Sequence, residues 1–182
     1  MWLALDTNCP WSVSESIAHA RALQPLNLAW LEEPVWPPED YAGLARVRAA
    51  TTLPIAAGEN VASVQEMASL LRAGAVDICQ PSVIKFGGID AVAQAATLAR
   101  THGVDYVPHF FYFGPGFLAS LHLAAAFAPE VAFELFFGDL EASPYHDAVR
   151  ASDGRLSVPT GPGLGLDPDM EILGGTASVP QS

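Results

Sequence analysis

Basic residues are scarce. Lys85 is the only lysine, and lysine and arginine together number 8 against 20 aspartates and glutamates, a formal net charge of −12 over 182 residues. That balance argues against nucleic acid and against an anionic membrane surface as partners, because both are held by clustered Lys and Arg. Cysteine is equally thin. Cys9 and Cys79 are too few for a disulfide framework and lack the paired spacing of a zinc site, which fits inert thiols in a reducing, cytoplasmic setting. No apolar stretch reaches about 18 residues without polar interruption, and Met1 opens onto Trp2 to Asp6 with no basic segment, so neither a membrane span nor an export signal is expected. Charged residues make up only 15%, against about 25% in an average soluble domain, while hydrophobic residues make up 51%. This is the composition of a folded chain, the length of one ordinary domain, whose interior is large and whose strands are mostly buried.

What is present is periodic. Short apolar runs rich in Leu, Ile, Val and Ala close on Asp6, Glu32, Glu59, Ser82, His109 and Glu134, at intervals of 26, 27, 23, 27 and 25 residues. Each gap holds a segment with helical spacing of apolar positions. Ser12 or Ser14 caps the first helix, which runs through Arg21, and Pro37 and Pro38 open the next around Tyr41 to Ala50. Ser63 precedes a helix closing on Gly74, Gly87 and Gly88 precede one reaching about Thr101, and Pro115 and Gly116 open another. A strand followed by a helix, repeated at this spacing, gives parallel βα units.

Continuous apolar strands require both sheet faces to be covered, which leaves a doubly wound sheet or a barrel. No glycine-rich phosphate turn follows the first strand, where Thr7, Asn8, Cys9, Pro10 and Trp11 stand instead. A polar residue at every strand end suits a barrel, in which the C-terminal strand ends converge on one mouth. The expected fold class is therefore α/β, a (β/α)8 TIM-barrel type that is incomplete, with about six of eight units and a truncated N-terminal side. Residues 1–137 form the partial barrel and carry the site. Residues 138–182, rich in Gly, Pro and Asp, form an irregular tail that packs onto other parts, with a short strand over residues 154–159.

Asp6, Glu32 and Glu59 carry the strongest chemical signal, since each closes a strand one repeat after the last. Three carboxylates in one mouth raise one another's pKa unless a cation sits among them, and hard oxygen ligands suit Mg2+. Taken singly, each acid would do no more than solvate a strand end.

The strings LDTN, WLEEP, AAGEN, KFGG, VPH and VAFE, in this order on six successive strands, resemble the mandelate racemase branch of the enolase superfamily. The resemblance runs from Leu3 to about Asp167 and implies a Mg2+ enzyme that removes the proton α to a carboxylate and stabilises the enediolate. It assigns the metal to Asp6, Glu32 and Glu59, with Glu33 and Pro34 shaping the strand end and Asn8 hydrogen-bonding metal water or substrate. His109 matches the family's histidine acid or base, and Glu134 a protonated glutamate that hydrogen-bonds the substrate carboxylate. Ser82 departs from the pattern, because an aspartate usually pairs with the histidine there. A hydroxyl orients an imidazole without stabilising its cation, so His109 becomes a weaker base and the proton donor.

Residues 80–88 and 107–117 narrow the resemblance to sugar-acid cycloisomerases acting on galactarolactone or 3,6-anhydrogalactonate, with acid-sugar dehydratases as the alternative. Lys85 then contacts substrate, and Phe111 with its aromatic neighbours walls the pocket. The implied partner is a small sugar acid or its lactone, bound by a homo-oligomer in the full-length form. The family's opposing base, a lysine on the second barrel strand, and its capping domain have no counterpart in these residues, which correspond to strands 3 to 8. The chain alone is therefore expected to be a poor enzyme that associates through an open barrel edge before Asp6. A catalytically inactive metal-binding or scaffold module is the competing reading from another class.

Overall fold

Helices begin where the sequence supplies caps. In this computed structural model, which describes residues 2–138 and 140–175, Ser12 closes a capping box with Glu15 at the head of α1 (Val13–Leu23). The Asp40 carboxylate accepts from Gly43 N ahead of α2 (Tyr41–Ala49), and the Ser63 hydroxyl accepts from Glu66 N ahead of α3 (Val64–Arg72). Gly88 precedes α4 (Ile89–Thr101) with φ 98°, a left-handed conformation that glycine enters without steric cost.

Between these helices lie β1 (Leu5–Asp6), β2 (Leu31–Glu32), β3 (Ile55–Ala57), β4 (Ile78–Cys79) and β5 (Asp105–Tyr106). All pair in parallel, in the order β1-β2-β3-β4-β5. A strand order that follows the chain without reversal is barrel progression, since a doubly wound sheet reverses at its switch point. The ladders are short, and inter-strand hydrogen bonds continue beyond them, from Leu5 N to Trp30 O and from Thr7 N to Glu32 O. Leu31, Ile55, Ala56 and Cys79 are fully buried, so the continuous apolar runs are covered on both faces as expected. α1 packs on α2 and α3 on α4. At the opposite end of the sheet from the site, Arg48 pairs with Asp77 Oδ1 at 2.7 Å while Asp77 Oδ2 accepts from Ile55 N, pinning α2 to the starts of β3 and β4.

These elements belong to the first of two compact units, Met1–His109; the second is Phe110–Ser182. The second is built on α5 (Pro115–Phe127). Phe110, Phe117, Leu118, Leu121 and Tyr145 form its core, and Phe133, Leu156, Val158, Leu164 and Leu166 pack against them. The segment after Phe137 is thus irregular but anchored, its apolar residues spaced to reach α5.

Two expectations are corrected here. Val131–Glu134, read as a sixth strand, joins no ladder among the described residues; an apolar run records a capacity for burial, whereas a strand also needs a hydrogen-bonding neighbour. Residues 154–159 do not form a strand either: Arg155 makes only an isolated bridge to Ser152. A short helix not anticipated from the sequence, α6 (Met170–Gly175), follows Asp169, whose Oδ1 accepts from Glu171 N at 2.8 Å. Among the described residues no helix is long and apolar enough to cross a membrane.

Candidate metal centre

The parallel register aligns the strand ends. Asp6 pairs with Glu32, and Glu32 with Ala56, so the acids that close β1 and β2 are side by side and Glu59 follows three residues later. Gly58 makes that last placement possible. Its φ is 140°, and a Cβ there would lie 2.8 Å from Gln80 N on the next strand, so only glycine lets β3 turn this closely past β4.

Glu32, Glu59 and His109 each offer one ligand atom within 4.8 Å of the others. Glu32 is buried and its Oε2 accepts from Trp30 Nε1 at 2.9 Å. Glu59 Oε1 lies 3.2 Å from Lys85 Nζ, and Oε2 lies 2.8 Å from His109 Nδ1, with the Glu59 and His109 side chains only 12% and 11% exposed. Burial pushes the Glu59 carboxyl upward, but the hydrogen bond and charge of His109, joined by Lys85, outweigh it and hold the group below the ordinary carboxylate range. Two donors therefore converge on an acid that faces a second acid. Carboxylate oxygens from Glu32 and Glu59 beside an imidazole form a donor set that fits a hard divalent cation, with Lys85 and His109 supplying compensating positive character to Glu59.

Asp6 sits one strand over and outside the 4.8 Å grouping; its Oδ1 accepts from Asn8 N at 3.0 Å, which turns the carboxylate along its own loop. Asn8 is exposed, with φ 54°. Ser82 is buried, and its Oγ makes no hydrogen bond among the described residues. The partner on His109 Nδ1 is the Glu59 carboxylate, not the Ser82 hydroxyl expected to orient the ring. Lys85 reaches Glu59. The remaining two candidates lie in the second unit. There Glu134 Oε2 accepts from Phe110 N at 2.8 Å, and Phe111, 55% exposed, meets Phe136 edge-on at 5.0 Å. Of the aromatic run, Phe110, Tyr112 and Phe113 line a cavity of about 650 Å3 within that unit, and Phe111 does not.

Sequence reasoning gave one further acid only a part in shaping its strand end. Glu33 is 4% exposed, and both its oxygens accept from Asn60 Nδ2, at 3.0 and 2.8 Å, while Cys9 Sγ lies 3.4 Å from Oε2. Burial, then the charge of Glu59, push its carboxyl up to about 7 against these hydrogen bonds. Burial and the neighbouring Glu33 charge likewise push the Cys9 thiol up to about 12, which keeps it protonated and a donor. The signal available in the sequence was the doubled acid of WLEEP together with the amide that follows Glu59.

Comparison with known proteins supplies the family. The chain is 33% identical over 183 residues to the D-galactarolactone cycloisomerase of Agrobacterium fabrum (strain C58), covering 95% of this chain and 48% of that protein. Its structure resembles the crystal structure of the 3,6-anhydro-D-galactonate cycloisomerase from Zobellia galactanivorans with a TM-score of 0.85 and 36% identity, over 96% of this chain and 50% of the other. It also resembles the L-talarate dehydratase from Polaromonas sp. JS666, complexed with Mg and L-glucarate, with a TM-score of 0.77 and 32% identity, over 95% of this chain and 46% of the other. The chain spans about half the length of the relatives it matches. These relatives are enzymes of sugar-acid chemistry, and residues 1–172 match the family described as enolase C-terminal domain-like. The chain belongs to that family.

Proposed function

We propose that this chain carries the metal-binding and proton-transferring part of a Mg2+-dependent enzyme that removes the proton α to the carboxylate of a sugar acid or its lactone, of the cycloisomerase kind. The observation that carries this reading is the convergence of Glu32, Glu59 and His109 within 4.8 Å, at or just past the ends of β2, β3 and β5. Glu32 and Glu59, with Asp6 on the adjoining strand, are the proposed ligands. When bound, Mg2+ supplies positive charge to a substrate carboxylate whose negative charge grows as the α-proton leaves, which favours the transition state over the ground state.

The chain's own residues do the rest. With Nδ1 of His109 held by Glu59, the proton exchanged with substrate is carried at Nε2. Glu134 hydrogen-bonds the substrate carboxylate, and we assign substrate contacts to Asn8, Lys85 and Phe111. The dehydratase reading shares the metal and the histidine and differs in the group expelled after the proton is lost; the likeness to the L-talarate dehydratase favours it as the second reading.

Calorimetric titration of the chain with Mg2+ tests the common core of both readings. Saturable heat that Glu59→Gln weakens at least tenfold is expected, on the scale of losing one carboxylate ligand. No heat, together with no change in thermal unfolding on adding Mg2+, overturns the assignment.

A further inference from the structure

Glu33 follows the metal-ligand candidate Glu32 directly, and in an alternating strand it would face the other way. It does not. Its φ is 44°, a left-handed conformation that a non-glycine residue holds only where the surroundings over-determine it. The result is two consecutive buried glutamates, 8% and 4% exposed, at one strand end. Two further residues with positive φ, Asn8 and Cys9, stand in the loop that faces it.

The backbone contacts explain how that conformation is held. Cys9 N donates to Glu33 O at 2.6 Å, and Thr7 Oγ1 donates to Glu32 O and Glu33 O at 2.8 and 3.0 Å. Glu33 N in turn donates to Ala56 O at 3.0 Å. The side chain repeats the pattern one layer out, accepting from Cys9 on the loop after β1 and, through both oxygens, from Asn60 on the loop after β3. Asn60 is the residue immediately after Glu59, and Cys9 is three residues past Asp6. One buried carboxylate thus ties together the three loops that bear the three candidate ligands.

We propose that Glu33 is a positioning residue: its carboxylate, clamped between Cys9 and Asn60, fixes the relative placement of Asp6, Glu32 and Glu59 and so sets the affinity of the metal centre. The inference rests on the reading of that centre as a Mg2+ site. A tether of this kind costs nothing at the moment of binding, because the ligands are held before the ion arrives.

Charge and tether make opposite predictions, which gives the test. In the full chain, at mildly alkaline pH, Mg2+ affinity is measured by calorimetry for the wild type, Asn60→Ala, Asn60→Asp and the double variant Glu33→Gln/Asn60→Asp. Asn60→Asp adds a negative charge near the ion, so a purely electrostatic role for this cluster predicts tighter binding; the tether predicts weaker binding, by about tenfold, because two carboxylates now face each other. The double variant restores the net charge and a donor–acceptor match, amide to carboxylate in reverse order, and is expected to recover most of the affinity. Asn60 is exposed, so its substitution spares the core.

Alkylation of Cys9, read by mass spectrometry with the deeper Cys79 as internal reference, reports the tether without metal and should quicken in both single variants. If the wild type binds Mg2+ and the single variants bind it equally or more tightly, the positioning role is wrong while the metal reading stands. If the wild type binds no Mg2+, the metal reading fails and the positioning role falls with it, and faster Cys9 alkylation then identifies only a structural clamp.

Discussion

Glu33 and Glu59 lie in one strand-end cluster, yet their carboxyls are driven in opposite directions. Glu59 is held low because two donors reach it, and Glu33 is pushed up to about 7 because burial and Glu59 both oppose its charge. Folded Glu33 keeps its proton up to about pH 7, whereas the unfolded chain releases it near 4.5. Between those values the folded state binds more protons, so Glu33 makes stability fall as pH rises, by an amount on the order of 3 kcal/mol at about 1.4 kcal/mol per tenfold change in proton affinity. Glu59 acts the other way: its folded pKa is depressed, so its contribution is present above the ordinary carboxylate pKa and is lost as pH falls through the folded value. Urea unfolding across pH 5 to 8 should therefore show a decline in the wild type that Glu33→Gln removes, and an unchanged decline in that variant would show the slope to have another source. This acid was not legible as buried, because strand alternation places neighbouring residues on opposite faces and nothing in WLEEP announces a φ of 44°. His109, Glu32 and Glu59 were legible for the complementary reason: the repeat length marks which residues stand at strand ends along the sheet, while the side-chain turn that sends Asp6 to its own loop is set by a local hydrogen bond.

At the scale of elements, the strand end after β3 is the tightest joint in the site. A Cβ on Gly58 would lie 2.8 Å from Gln80 N, at a φ of 140° that L residues rarely adopt. Gly58→Ala should consequently cost about 2 to 4 kcal/mol, since both a steric overlap with backbone and a disfavoured conformation must be relieved. Relief moves β3 away from β4, and Glu59 moves with it, so Mg2+ binding should weaken beyond what the lost stability alone explains. Denaturant unfolding and calorimetry on the same variant separate the two; stability lost with affinity intact would mean that Glu59 is placed by its ion pairs and not by this joint. The helices were readable from the sequence because caps are local: Ser12, Asp40 and Ser63 each need only a residue three positions on. Val131–Glu134 was not, because pairing is a property of two segments, and α6 was hidden by its brevity and by the prolines and glycines that surround it.

For the whole molecule, the sheet order and the charge pull against each other. β1 pairs only with β2 among the described residues, which leaves it an edge strand, and beside it Trp2 and Leu3 are 57% and 64% exposed. An edge with unpaired backbone and apolar flanks invites another chain. Opposing that, a net charge of −12 makes every pair of chains repel. The edge acts over a few ångströms and the charge over a Debye length, about 30 Å at 0.01 M salt but about 10 Å at 0.1 M. Light scattering should accordingly find little association at the lower ionic strength and growing association as salt is raised. Leu3→Glu should suppress it far more than Gln65→Glu, which adds the same charge on the exposed face of α3. Equal suppression by both would mean that repulsion alone governs association and that the β1 edge takes no part, and a monomer at every salt concentration would mean that the edge is already protected within the fold.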